Sequence, residues 1–255
     1  MRVTASLASI YWVWMMSSAL YLHFAPSASE YRTLASEAFD REEYAASVEF
    51  QDKVLEIAAM DYHAHYWKGR ALSKEEDYER ALVSFDLALM IRPEELAALD
   101  GKARALSGLG RFEEALSVLN QIQQRDSTSV RVQYNIAFCL QHLGRREEAL
   151  TILRGVVAAD PGWMPGHIRL GHMLDAAGRP RQALAAYARA TAIDSTNDEV
   201  RYHLAATHLH LGDRAEAIEI LRRMAGTNPS LATEVSADSS FMDLTEEELS
   251  LLSSD

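Results

Sequence analysis

Between residues 28 and 231 the apolar and polar positions of the chain recur every 34 residues. GLGRFEEAL at 108–116 returns as HLGRREEAL at 142–150, as AAGRPRQAL at 176–184 and as HLGDRAEAI at 210–218. A looser copy, KEEDYERAL, stands at 74–82. Counted from Ala28, six blocks fit without insertion: 28–61, 62–95, 96–129, 130–163, 164–197 and 198–231. The eighth position is always Ala or Gly (Ala35, Gly69, Ala103, Ala137, Gly171, Ala205), and the twentieth is always small (Ser47, Ala81, Ala115, Ala149, Ala183, Ala217). Two tiny residues twelve apart, each on an apolar helical stripe, predict two helices in close contact. The fifteenth position is glycine in the last four blocks (Gly110, Gly144, Gly178, Gly212). Glycine tolerates the left-handed conformation that ends a helix. Blocks close with Pro93, Pro161 and Pro229, or with Asp126-Ser127 and Asp194-Ser195. Proline stops a helix, and Ser, Thr and Asp cap the next one. Each block therefore reads as a helical hairpin. A single hairpin cannot bury its apolar face, whereas stacked neighbours bury a continuous core.

This pattern resembles the tetratricopeptide repeat (TPR) family. The carrying residues are Leu170, Gly171, Leu174, Ala183 and Tyr187 in the fifth block, and Gly69, Leu72, Ala81, Phe85, Ala88 and Pro93 in the second. The resemblance implies an all-α chain: an α-solenoid of about six TPR hairpins wound into a right-handed superhelix. Two features depart from the family. Its early tryptophan is replaced by Tyr31, His65, Leu99, Gln133, His167 and Arg201, and the first block has Gln51 where an aromatic belongs.

The two ends fall outside the period. Residues 1–29 carry one charge, Arg2, then an uncharged run from Val3 to Phe24 and the exit APSAS. That is the layout of a signal peptide, with a cut after Ser27 or Ser29. The run is also long enough for a retained membrane anchor; a soluble helix packed on the first block is a third reading. The first two imply an exported or membrane-attached protein facing the exterior, in a bacterial cell envelope. Residues 232–255 hold seven acidic residues and no basic one. Asp243 and Glu246 are spaced for a capping box, and Phe241, Leu244, Leu249, Leu251 and Leu252 give a short amphipathic helix. This tail either caps the last block or occupies the chain's own binding surface.

Charge and chemistry narrow the function. A net charge of −12 opposes binding to nucleic acid, whose phosphates need a positive field. Cys139, the single cysteine, sits in the apolar stretch IAFCL and reads as a buried small hydrophobe. No phosphate-binding glycine loop, HExxH or Gly-x-Ser-x-Gly elbow occurs, so the reading is non-catalytic, with no cofactor. Among nine histidines, His203 and His210 share a face, and His142 and His172 can line the same surface. Adjacent helices stand roughly 10 Å apart, too far on that measure for imidazoles to meet at about 2 Å from a zinc ion. No metal site is expected.

The remaining surface is the groove which, in the family, the first helix of each hairpin lines. The resemblance carries its positions onto Tyr66, Trp67 and Arg70, then Asp100 and Arg104, then Arg131, Tyr134, Asn135 and Gln141, then Arg169, His172 and Asp175, and finally Glu199, Tyr202 and His203. Aromatic and arginine side chains on an acidic protein suit a protein or peptide partner, above all an extended acidic one. The family's second helices usually carry solvated charge. Some members grip a C-terminal carboxylate in a two-carboxylate clamp. Here only Asn135 and Arg169 match it, and Asp100 puts a negative charge at the entry. The expected function is a scaffold that supports assembly of an envelope complex, with self-association left open. The alternative is a groove that holds a small glycan or lipid-type ligand for an enzyme.

Overall fold

The computed structural model describes residues 26–225 and, of the tail, 235–241, 244–245 and 248–249. The apolar N-terminal run lies outside them, as do Pro229, Asp243, Glu246, Leu251 and Leu252. Among the described residues no helix is long and apolar enough to cross a membrane. They form an all-α chain of consecutive antiparallel hairpins: α1 (Ala28–Asp40) with α2 (Tyr44–Ile57), α3 (Tyr62–Lys74) with α4 (Tyr78–Ile91), α5 (Leu96–Gly108) with α6 (Phe112–Arg125), α7 (Val130–His142) with α8 (Arg146–Ala159), α9 (Met164–Ala176) with α10 (Pro180–Ile193), and α11 (Asp198–Leu211) with α12 (Arg214–Ala225). The chain divides into two compact units that part within α6, one ending at Val118 and the other beginning at Leu119.

Local chemistry explains the helix ends. Ser27 caps α1 and Glu30 returns the bond in a capping box. Asp61, Asp77, Ser129 and Asn197 accept from the first turns of α3, α4, α7 and α11. Gly110, Gly144, Gly178 and Gly212 have φ between +68° and +84° and turn the chain from the first helix toward the second. Glu42 and Glu76 stand at the same block position, and they take the same left-handed backbone (φ 62° and 60°) without glycine's freedom. The hairpin geometry thus overrides the residue's preference, at about 1–2 kcal/mol each.

In the first unit Phe85 of α4 is fully buried, and the space beside it explains two glycines. A Cβ on Gly69 would lie 2.9 Å from the ring, and one on Gly101 of the following hairpin 2.4 Å from it. In the second unit Tyr187 of α10 is also fully buried, and a Cβ on Gly171 would lie 2.5 Å from its ring. The missing family tryptophan is replaced in a consistent way at two places. His65 and His167 are buried, and a ring nitrogen of each bonds the backbone oxygen six residues earlier, Ala59 at 2.9 Å and Pro161 at 3.0 Å. Gln51, in place of the first block's aromatic, is buried with Oε1 unpartnered.

The described part of the tail packs on the last hairpin. Val235, Phe241 and Leu244 are buried in one cluster with Ala205, Ala206, Ala217, Leu221 and Met224. Tyr202 donates to Asp238 at 2.8 Å and meets the Phe241 ring at 4.9 Å. Thr245 and Glu248 form a capping box; the Asp243–Glu246 pair read from sequence lies outside the described residues. Glu248 also accepts from Arg214 at 2.6 Å. The Arg214 bond first, then those from Thr245, pull the Glu248 carboxyl down to about 2.

Two outcomes follow from this packing. Gly101→Ala and Gly171→Ala should each destabilise by about 1–3 kcal/mol through overpacking. Gly155→Ala, in mid-helix with nothing within 4 Å, should instead stabilise by about 0.5–1 kcal/mol; urea unfolding of the three variants checks the contrast. For Glu248, a carboxyl held below its unfolded value stabilises above that value and loses the effect as pH falls through the folded one. The gap in melting temperature between wild type and Glu248→Gln should be constant from pH 7 to about 5 and should close between about 4.5 and 2. A gap that persists at pH 2 would mean that the ion pair is not its source.

Candidate partner-binding face and histidine cluster

In the first unit Tyr66, Trp67 and Arg70 stand on α3, and Arg104 on α5. Arg70 lies among rings: its guanidinium carbon is 4.4 Å from the Trp67 centroid, 5.0 Å from Phe39 and 5.9 Å from Tyr66. Phe39 and Trp67 themselves meet edge to face at 5.3 Å. Arg104 has a different setting. It pairs at 3.4 Å with Asp100, which lies one turn earlier and is buried. Asp100 is thus engaged by its own helix and is not a free charge at the face.

In the second unit Arg131, Tyr134 and Asn135 stand on α7, Arg169 and His172 on α9, and Tyr202 and His203 on α11. Contacts run between these three first helices. Arg169 donates from Nε and Nη2 to the Tyr134 hydroxyl at 3.2 and 3.1 Å, and its guanidinium lies 4.7 Å from the Phe138 centroid. Trp163 closes on Tyr134 at 4.9 Å. On α9 and α11, the His172 and His203 rings lie 4.2 Å apart. Tyr202 carries the contact on to Asp238 and Phe241 of the tail. Arg131 is exposed and Asn135 half-buried on α7.

The meeting of His172 with His203 departs from the helix-spacing expectation. That expectation measured axis to axis, but imidazoles that lean toward each other from facing stripes close most of the gap. Tyr187 fixes them. Its ring stacks on His203 at 5.7 Å and 12° and meets His172 at 5.8 Å. Burial first, then His203 and Arg169, push His172 down to about 4, and burial lowers His203 as well. Burial thus favours the neutral form of both rings.

Phe39 and Phe138 were absent from the sequence-derived set, although they stand at the twelfth and ninth block positions, on the stripe that picked out the others. Trp163 ends its block and had no such signal. The second helix α4 also departs from the expected solvated charge: Val83, Leu87 and Met90 are exposed along it.

A tetratricopeptide repeat model matches residues 72–129, 106–165 and 176–236. The chain belongs to the tetratricopeptide repeat family. No curated protein matches it. Among solved structures, it is similar to MamA, residues 41 to the end, from Desulfovibrio magneticus RS-1, at 22% identity and a TM-score of 0.61, over 67% of this chain and 97% of that one. It is similar to pilF of Pseudomonas aeruginosa at 15% identity and a TM-score of 0.68, over 85% and 95%. A third is YrrB, described as a TPR protein with an unusual peptide-binding site, at 21% identity and a TM-score of 0.53, over 74% and 98%. At these identities the likeness establishes the fold. A TPR scaffold is a fold of protein–protein interaction.

Proposed function

We propose that this TPR chain is a non-catalytic scaffold, each of whose two units has a first-helix face that binds an extended, carboxylate-bearing segment of a protein partner. One observation carries the reading. Arg32, Arg104, Arg179 and Arg214 each meet a carboxylate, whereas Arg70 and Arg169 have no carboxylate partner among the described residues. Rings and a phenol hydroxyl hold them instead. A guanidinium fixed by aromatic faces loses little freedom on binding and keeps donors for a two-pronged carboxylate contact. The likeness to YrrB, itself described as having a peptide-binding site, supports a peptide ligand.

The location proposed is a cell envelope, with the apolar N-terminal run as exported signal or retained anchor. The Ser27–Glu30 box supports retention. Cleavage after Ser27 or Ser29 would remove the cap and put a positive amino group at the positive end of α1. Membrane fractionation with N-terminal sequencing tests this: intact Met1 on soluble protein would exclude both forms.

The binding test uses arrays of acidic and basic 12-residue peptides, read by fluorescence anisotropy at low salt, where charge contacts are strongest. Acidic peptides should bind tighter. Arg169→Glu and Arg70→Glu should each weaken them at least about tenfold, which is about 1.4 kcal/mol. Arg104→Glu should do less, because Arg104 is already paired. Equal binding of acidic and basic peptides would overturn the reading.

A further inference from the structure

We propose that His172, Glu199 and His203 form a binding site for a divalent transition-metal ion of the zinc class, with one coordination position left open to solvent. Glu199 and His203 stand one turn apart on α11, so they share a face, and His172 faces them from α9. One ligand atom from each lies within 4.8 Å of the others. Ligands about 2.0–2.2 Å from a tetrahedral zinc are about 3.4 Å apart, so closure asks for a shift of about an ångström. Glu199 is exposed and can make most of it by a change of rotamer.

Independent features of the cluster fit a metal. His172 Nε2 is buried without a hydrogen-bond partner, an expensive state for a polar nitrogen that coordination would relieve. Three other histidines are used differently: His65 and His167 bond backbone oxygens, and His142 packs against Phe138 at 4.5 Å. The Tyr187 ring supports His172 and His203 from one side, so little ordering remains to be done on binding. The Thr207 hydroxyl shares its one hydrogen between Asp175 at 3.1 Å and the His203 backbone oxygen at 2.8 Å. The contact with Asp175 ties α9 to α11. Two imidazoles and a carboxylate with a vacant fourth position form a ligand set that suits zinc.

The site does not depend on the peptide reading, and its test needs no partner. The full chain, prepared without a polyhistidine tag and stripped of metal, is titrated with Co²⁺ and read by visible absorption. One equivalent should bind with the intense bands of four-coordinate cobalt, and Zn²⁺ should displace it. His172→Ala and His203→Ala should abolish the bands. Since His203 also packs on Tyr187, its variant is compared by far-UV circular dichroism. Glu199→Gln changes an exposed side chain, so it keeps the fold and should still weaken binding at least about tenfold. His142→Ala should leave the titration unchanged. Absence of stoichiometric Co²⁺ binding by wild type would overturn the proposal, as would wild-type binding by folded Glu199→Gln together with His172→Ala.

Discussion

The fold depends on a steric constraint: an aromatic ring on a second helix that leaves no room for a Cβ beside it. Phe85 fills the space between its own hairpin and the next so closely that Gly69 and Gly101 cannot carry side chains. Interiors packed at this density transmit strain instead of absorbing it. The ring therefore fixes helix separation within a hairpin and its stacking on the following one. Tyr187 plays the same part against Gly171 in the second unit. There the next hairpin has His203 at the block position where the third block has Gly101. The imidazole, larger than glycine's hydrogen, lies flat on the tyrosine ring and is brought against His172. A packing device repeated for stability thus produces, at one variant position, a cluster of side chains with chemistry of its own.

Charge on this protein is abundant but mostly local. Pairs such as Arg111–Glu114 and Arg145–Glu148 join residues three apart on exposed helix starts, and such surface pairs contribute little to stability. Arg70 and Arg169 differ in what holds them. Their aromatic and hydroxyl neighbours fix a guanidinium in place without neutralising it, a cost that makes sense when the neutralising group arrives with a partner. The same economy is visible at the tail, where Tyr202, a residue of the first-helix stripe, is engaged by Asp238 and Phe241 from within the chain.

The sequence by itself determined the repeat. A 34-residue period, with small residues at two fixed places and glycine between them, admits one local solution because helix contact distance is decided by the smallest side chain at the crossing. Gly110, Gly144, Gly178 and Gly212 marked their turns directly, since φ above zero is costly for other residues. Glu42 and Glu76 take the same backbone unmarked, because tertiary packing outweighs a preference of that size. At the tail, Thr245 and Glu248 form a capping box whose carboxylate also accepts from Arg214, a long-range contact that sequence spacing does not contain. Which stripe residues come together was decided by the tertiary structure alone. Sequence spacing places Tyr134, Arg169, His172 and His203 on one kind of face, but it contains no rotamers. Whether two imidazoles on neighbouring helices meet or miss depends on the direction in which a third side chain, Tyr187, allows them to lean.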